Sequence, residues 1–283
     1  LAPIANALPK LPGAGWAMEK TVGIAADRDL PQFRSESLID WFEARGGAAV
    51  PPEEAAHRVL LLPDVYTTYM HPAAGKAAIH VLEAADCHVA IPDVDGSGRP
   101  AYSKGFIDRA RETARGTVAE IAPKVAEGWH VVSVEPSDAV MLQSDYLDLL
   151  ASDAAETVAA NTYGFCEYLD VFDLHVPTGA TESLTYHGHC HQKASGKDGH
   201  AVAVLRAAGH DVDRLDSTCC GMAGTFGYEA EHYSLSQTIG SILFDQVEES
   251  DGETVIAPGT SCRTQLEDYD PVHPVEKLAE PLD

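Results

Sequence analysis

The adjacent cysteines Cys219 and Cys220 have the clearest chemical potential in this sequence. They lie in the stretch STCCGMAGTFG at 217–227, where a glycine-rich turn follows them. A disulfide between neighbouring cysteines would close a small, strained ring, so these sulfurs are better suited to binding one shared external atom. A metal ion or an iron–sulfur cluster is the usual candidate for that atom.

Two further cysteines, Cys190 and Cys262, complete a candidate set of four ligands. Between Cys190 and the adjacent pair there are 28 residues, and between the pair and Cys262 there are 41; each of these two cysteines follows a predicted strand. The loops after parallel strands converge on one edge of a sheet, where distant ligands can meet. Four thiolates suit a tetrahedral zinc ion or an iron–sulfur cluster, and the spacing does not choose between them. The alternative is four free or core cysteines.

Other residues near these cysteines are assigned supporting roles. In HGHCHQKA at 187–194, His189 and His191 could bind the metal or donate to a sulfur, or they could be solvated or cap a helix. Gly221 would allow close backbone approach. His273 is interpreted as a residue that starts a helix, with membership of the metal site as the alternative. Cys87 and Cys166 lie in apolar patterns and are predicted to be small core residues. No motif indicates a catalytic residue, and GxxGxxG is a weak signal for a nucleotide.

The composition excludes several classes of partner. The chain has 283 residues, with 19 Lys and Arg against 44 Asp and Glu, and a net charge of −25. This charge would repel nucleic acid and an acidic membrane surface. Adaptation to high salt is the favoured explanation, and an acidic docking face for a basic partner is the alternative.

The cysteine content and the apolar pattern predict a cytoplasmic protein. Six cysteines are too few for a secreted disulfide scaffold, and neither a signal peptide nor a membrane-spanning run is recognisable. Attachment to the inner face of the membrane would then require a partner. The first residue, Leu1, suggests the processed or excised end of a longer protein.

Short apolar strands and amphipathic helices alternate, which predicts an α/β fold with mainly parallel sheets. The lead-in at 1–35 is expected to be irregular, with no helix before the segment 16–22. Ser35 is a candidate cap for a helix at 37–45. The predicted strands are 58–63, 89–92, 131–134, 183–186, 212–215 and 254–257. The predicted helices are 75–85, 106–126 with a break near Pro123, 145–172, 199–208 and 233–249.

An offset of 123 residues aligns the two parts of the chain and indicates an internal repeat. It places Ser97 on Cys220 and Gly98 on Gly221, and after a small slip it places Asp138 near Cys262. We therefore predict two similar halves, of which only the second carries the thiols. The predicted segments are a helical lead-in or linker at 1–55, a first repeat without cysteine ligands at 56–150, a connecting helix at 151–182 and a second repeat with the metal site at 183–283.

The cysteine pattern resembles the cysteine-rich CCG domain family. The resemblance is carried by HGHCHQKA at 187–194, CCGMAGTFGYEAEHY at 219–233, APGTSCRTQ at 257–265 and HPVEKLA at 273–279. It is closer to the C-terminal region of FAD-linked oxidases of the D-lactate dehydrogenase and glycolate oxidase type. The resemblance to the C subunit of anaerobic glycerol-3-phosphate dehydrogenase and to the B subunit of heterodisulfide reductase is more distant.

The resemblance implies an iron–sulfur electron-transfer module of a flavin-dependent 2-hydroxy acid dehydrogenase. FAD would lie on a separate domain or chain, and a quinone or cytochrome would accept the electrons. The site would be one [4Fe–4S] cluster, or zinc, on Cys190, Cys219, Cys220 and Cys262. The first half has GSG at 96–98 and Asp138 where complete repeats have cysteines, so it is expected to hold no metal. The alternatives are a zinc-stabilised docking module and a heterodisulfide reductase-like component.

Overall fold

Strands and helices alternate along the chain, and the strands form two parallel sheets. This arrangement confirms the predicted α/β class. The computed structural model describes residues 2–7, 9, 11–176, 178–217 and 219–282. Each strand pair in both sheets is parallel. No helix in these residues combines the length and the apolar character needed to span a membrane.

The N-terminal segment is more helical than its prolines and glycines predict. Its helices are α1 (Ala2–Ala7), α2 (Ala14–Val22) and α3 (Leu38–Ala44). The sequence pattern predicts no helix at α1, but Pro3 occupies the first turn, where proline is tolerated. The predicted cap Ser35 is wrong. Ser37 caps α3, because its hydroxyl accepts a bond of 3.0 Å from the Asp40 N–H and Asp40 bonds back to the Ser37 N–H.

The first sheet has the strand order β2-β1-β3-β4. Its strands are β1 (His57–Leu61), β2 (Cys87–Ala90), β3 (His130–Ser133) and β4 (Thr162–Gly164). The helices around it are α4 (Pro72–Ala84), α5 (Arg99–Ser103), α6 (Ile107–Ala126), α7 (Pro136–Val140), α8 (Tyr146–Leu149), α9 (Asp153–Ala160) and α10 (Phe165–Val171). Two π-helical turns, Tyr66–Met70 and Met141–Asp145, complete this part.

Two details of this half differ from the sequence-based prediction. The connection at 151–182 is not one helix, because β4 interrupts it and pairs with β3 through Val131 and Thr162. A strand of three residues is too short to leave a recognisable apolar pattern. The predicted break at Pro123 is also absent from α6, which continues to Ala126.

The second sheet has the strand order β6-β5-β7. Its strands are β5 (Ser183–Tyr186), β6 (Asp211–Arg214) and β7 (Thr254–Ile256), close to the predicted ranges. The helices around it are α11 (Cys190–Ala194), α12 (Gly199–Ala207), α13 (Tyr233–Glu249), α14 (Thr260–Gln265) and α15 (Pro274–Ala279). Short 3₁₀ turns lie at Phe226–Tyr228, Glu267–Tyr269 and Glu280–Leu282.

A shared apolar core joins the two sheets. It includes Val59 of β1, Ile79 of α4, Leu184 of β5 and Leu278 of α15, all of which are fully buried. A second core fills the other face of the first sheet beneath α6, and a third lies beneath α13. The third core contains Cys220 and Cys262, so these two thiols border an apolar interior.

The two halves share their order of elements. In each sheet the strand that comes first in the sequence is flanked by the next two, so that β1 corresponds to β5, β2 to β6 and β3 to β7. The long helices α6 and α13 precede the third strand in their respective halves. This arrangement is consistent with the internal repeat predicted from the sequence.

Candidate metal centre

The cysteines of the second half lie beyond the carboxyl ends of its three strands. Cys190 begins α11 after β5, the adjacent pair follows β6, and Cys262 lies in α14 after β7. Because all three strands are parallel, these loops share one edge of the sheet. The sheet therefore brings together residues that are up to 72 positions apart in the sequence.

Three of these side chains form a compact group of metal-binding type. One ligand atom each of His187, Cys220 and Cys262 lies within 4.8 Å of the others. The three residues are 1%, 5% and 2% exposed. The sequence pattern indicates supporting roles for His189 and His191 and does not single out His187. The position of His187 directly after a buried strand is the signal that could have identified it.

Cys190 and Cys219 lie beside this group. Both are partly exposed, and the two sulfurs are close enough that Cys219 raises the pKa of Cys190 after the larger effect of burial. The backbone N–H of Gly221 lies 3.4 Å from the Cys219 sulfur, to which it donates. The cysteines of the described residues are free, without disulfides. The four candidate thiols are thus neighbours in the order Cys190, Cys219, Cys220 and Cys262.

The local environment opposes spontaneous ionisation of the central thiols. The hydrogen bond between Cys219 and Cys220, followed by burial, raises the pKa of Cys219. For Cys220, the bond from Cys219 lowers the pKa, but the contact with Cys262 and burial outweigh it and raise the pKa. A bound cation would therefore be needed to hold these sulfurs together as thiolates.

Lys193 supplies a positive charge beside the thiols, a role that no sequence pattern indicates. Its ammonium group favours the thiolate forms of Cys190 and Cys219, although this is a smaller effect than burial. The ammonium donates to the Ser217 carbonyl and, at 3.2 Å, to the Ser217 hydroxyl. Burial lowers the pKa of Lys193 itself. Lys193 is one helical turn beyond Cys190, so α11 carries both.

His187 is held in the neutral state that can bind a metal. Burial, followed by the charge of Lys193, lowers its pKa to about 3. Its Nδ1 lies 2.6 Å from the Ser217 hydroxyl, a contact that fixes the orientation of the ring. His187 therefore presents an unprotonated imidazole across the physiological pH range.

His189 and His191 face the first half of the molecule. Burial lowers the pKa of His189 to about 4, against the opposing charge of Glu135. The His189 ring packs so closely on Gly259 that a Cβ there would be 2.3 Å from its Cδ2 atom. His191 Nε2 lies 3.2 Å from the Arg99 guanidinium. Both histidines flank Cys190 and are close to charged groups of the first half, His189 to Glu135 and His191 to Arg99.

Gly221, directly after the cysteine pair, is required for close packing on α13. Gly221 has φ +92°, and a Cβ there would be 2.3 Å from the Ser236 carbonyl oxygen. Arg28 of the N-terminal segment holds the same turn, because its guanidinium donates to the Gly227 carbonyl at 2.9 Å and to the Gln265 side chain at 2.5 Å. The sequence predicts the close approach at Gly221 but carries no signal for Arg28.

The remaining cysteines and His273 have the structural roles that the sequence predicts. Cys87 and Cys166 are 0% and 6% exposed in the shared core, and burial raises the pKa of each to about 12. His273 starts α15, where its Nδ1 accepts from the Val275 N–H at 3.1 Å.

The donor set fits a soft metal centre. Four thiols and one neutral imidazole lie at one sheet edge, and thiolate and imidazole are ligands of zinc and of iron–sulfur clusters. The paired burial of Cys220 and Cys262 excludes water from one side of the site, whereas Cys190 and Cys219 leave the other side partly open.

Comparison with known proteins supports the same assignment. The family described as "Cysteine-rich domain" (CCG) matches residues 184–267. The C subunit of anaerobic glycerol-3-phosphate dehydrogenase from Escherichia coli K12 is 28% identical over 99% of this chain and 72% of its own length. D-2-hydroxyglutarate dehydrogenase of the same organism is 25% identical over 93% of this chain, which spans only 27% of that enzyme.

A third relative is similar to about two thirds of the chain. Lactate utilization protein A of Geobacillus thermodenitrificans is 26% identical over 66% of this chain and 81% of its own length. The chain thus carries a CCG cysteine-rich domain and is homologous to the C subunit of anaerobic glycerol-3-phosphate dehydrogenase, to D-2-hydroxyglutarate dehydrogenase and to lactate utilization protein A.

Proposed function

We propose that this chain is the iron–sulfur electron-transfer module of a flavin-dependent 2-hydroxy acid dehydrogenase. The observation that carries the proposal is the convergence of Cys190, Cys219, Cys220 and Cys262 at the strand ends of the second sheet. When bound there, an iron–sulfur cluster would accept and release single electrons. Dehydrogenase relatives that span nearly the whole chain support an oxidoreductase role.

The surrounding residues suit a redox site near the protein surface. Cys220 and Cys262 anchor the buried side, while the partial exposure of Cys190 and Cys219 leaves a short path to solvent or to a partner. The Gly221 N–H and the Lys193 ammonium place positive potential beside the sulfurs. Hydrogen bonds and positive charge at the sulfurs favour the reduced state of such a centre.

The module would work with a flavin-binding partner. We propose that a flavin on another domain or chain takes hydride from the 2-hydroxy acid, and that electrons then leave through this chain to a quinone or cytochrome. The name of one relative identifies it as part of a dehydrogenase complex, and another relative is a dehydrogenase of which this chain spans about a quarter. Cytoplasmic location, with membrane attachment through a partner, is compatible with this scheme.

Redox titration of the chain purified without oxygen tests the proposal. We expect about four iron atoms per chain and a visible absorbance that dithionite bleaches and a quinone analogue restores. The matched variant Cys220→Ala should lose both the iron and the bleachable absorbance, whereas Cys166→Ala should keep them. Iron-free protein with no reversible absorbance change would contradict the proposal.

A zinc-stabilised docking module is a second candidate, favoured by one observation. The compact group of His187, Cys220 and Cys262 supplies three ligands of the type found in closed zinc sites, and Cys219 could provide the fourth. The same preparation separates the candidates. About one zinc per chain without iron would support the docking role.

A further inference from the structure

The first half contains a buried polar site at the position that corresponds to the thiol site. The offset that relates His187 and Cys220 to the first half points to Asp64 and Ser97, and Asp138 lies one residue from the position equivalent to Cys262. Asp64 follows β1 and Asp138 lies in α7 after β3, so both lie beyond the carboxyl end of a strand. An oxygen donor thus replaces each member of the compact group in the second half.

These three side chains are buried and organised. Asp64, Ser97 and Asp138 are 5%, 2% and 6% exposed. The Ser97 hydroxyl donates to Asp138 Oδ1. Tyr146 fixes the Ser97 loop from beneath, because its hydroxyl donates to the Ser97 carbonyl at 2.9 Å. The positions of the oxygen donors are therefore set by the fold.

One carboxylate oxygen of this site has no partner. Asp64 Oδ1 accepts from the N–H groups of Tyr66 and Thr67 at 2.9 Å and 2.8 Å. The other oxygen, Oδ2, is buried and makes no hydrogen bond within the described part of the chain. A buried carboxylate oxygen without a donor costs free energy, so the arrangement indicates a ligand that supplies the missing contact.

The charges around the site do not balance. Arg99 is paired with Asp145 at 2.5 Å, and Arg263 faces Glu135. Asp64 and Asp138 are left with two negative charges in a buried region. Burial raises the pKa of Asp64 to about 6, and burial together with the charge of Asp64 raises the pKa of Asp138 well above its usual range. Either a divalent cation or two protons must compensate.

We propose that Asp64, Ser97 and Asp138 bind one divalent cation of the class that prefers oxygen ligands, namely Mg²⁺, Mn²⁺ or Ca²⁺. Carboxylate and hydroxyl oxygens suit hard cations, in the same way that thiolates suit soft ones. The cation balances both negative charges and provides the contact that Asp64 Oδ2 lacks. The proposal revises the expectation from the sequence that the first half holds no metal, because that expectation considered only cysteine ligands.

The proposed cation would also stabilise the contact between the halves. Glu135, the N-cap residue of the helix that carries Asp138, accepts from the Thr260 N–H and hydroxyl, each at 2.9 Å. Thr260 begins α14, the helix that carries Cys262. A cation that holds the N-terminal turn of α7 in place would therefore support the helix that positions one of the thiols.

Mn²⁺ titration of the whole chain, followed by electron paramagnetic resonance of the free ion, tests the proposal. The buffer contains about 1 M KCl, which screens weak binding to the acidic surface. We expect one site per chain that is tighter than about 10⁻⁴ M. Asp64→Asn and Asp138→Asn should each weaken it about tenfold or more, because affinity for hard cations follows the charge of the ligands. The exposed Asp93→Asn is the matched control and should bind as the wild type does.

Thermal unfolding with and without Mn²⁺ keeps the test valid if a variant folds poorly. Mn²⁺ should raise the Tm of the wild type and of Asp93→Asn, but not that of Asp138→Asn. If the wild type binds no Mn²⁺ at this affinity, or if the two site variants bind it as well as the wild type, the proposal is overturned. Two protons would then balance the buried charges.

Discussion

At the strand ends of the second half, His187, Cys220 and Cys262 present nitrogen and sulfur, whereas at the matching position of the first half Asp64, Ser97 and Asp138 present oxygen. The first three strands of each half have the same order, and both groups of donors are buried. The topology therefore determines where donors converge, and side-chain chemistry alone decides which metal each site suits.

The two sites also differ in how they balance charge. In the second half, the Lys193 ammonium lies beside the thiols, and His187 is kept neutral by burial. In the first half, burial and the negative charge of Asp64 together raise the pKa of Asp138. Glu135 joins the sites through Thr260, so a change on one side can reach the other.

The largest expected effect is the loss of a central thiol. Cys220→Ala should remove the bound metal and unfold the second half, since a structural metal can supply on the order of 10 kcal/mol of folding free energy. Metal analysis and circular dichroism provide the measurement. The matched variant Cys166→Ala, in the core away from the site, should keep its full metal content. Metal retained by Cys220→Ala would remove this residue from the ligand set.

Gly221→Ala should destabilise the protein by about 3 kcal/mol or more, because the added Cβ would clash with the backbone of α13 at a position of positive φ. Gly224→Ala is the matched control. Gly224 has φ +69° but no atom within 4 Å of an added Cβ, so the cost should be only about 1 kcal/mol. Chemical denaturation of both variants measures the difference. Equal losses would show that backbone strain, not packing on α13, sets the requirement for glycine.

Asp64→Asn should be more stable than the wild type at neutral pH in buffer free of divalent cations. The folded-state pKa of Asp64 is raised to about 6, so the ionised carboxylate destabilises the fold above that pH by about 3 kcal/mol at most. The advantage of the variant should shrink as the pH falls through about 6 and vanish near the ordinary aspartate pKa of 3.8. Denaturation from pH 4 to pH 8 measures it. An advantage that does not change with pH would exclude titration of Asp64 as its cause.

Glu135→Gln should have the smallest of these effects. The substitution weakens two hydrogen bonds to Thr260 by removing their charge, at a cost of about 1 to 2 kcal/mol. Glu36→Gln, which breaks an exposed pair with Lys76, should cost less than about 1 kcal/mol. A Tm comparison of the two variants is sufficient. If Glu135→Gln melts no lower than Glu36→Gln, the link between the halves contributes little.

Much of the fold could be predicted from local pattern. The range of α13, Tyr233–Glu249, agrees with its amphipathic pattern, and β5 agrees with its apolar run. By contrast, β4 has three residues and owes its existence to pairing with β3, which leaves no local signal. The helix α1 escapes prediction when its prolines are interpreted as breakers without regard to their position in the first turn.

The candidate site could be predicted from the sequence only in part. Adjacent cysteines and strand ends are visible in the sequence, so the thiols could be proposed from it. His187 and Lys193 depend on which side chains turn toward the sulfurs, and Arg28 reaches the glycine turn from about 200 residues away. In the alignment of the two halves, Ser97 and Asp138 stand where the second half has cysteines, so the sequence shows only that thiols are missing there. The oxygen donors became recognisable only when burial and the unpaired Asp64 oxygen were known.

Anomalous diffraction at the iron absorption edge, from crystals grown without oxygen, tests the central claim most directly. We predict one strong iron peak in the second half, in contact with the sulfurs of Cys190, Cys219, Cys220 and Cys262, and no iron at Ser97 and Asp138. Iron in the first half, or a second half without an iron peak, would contradict the assignment.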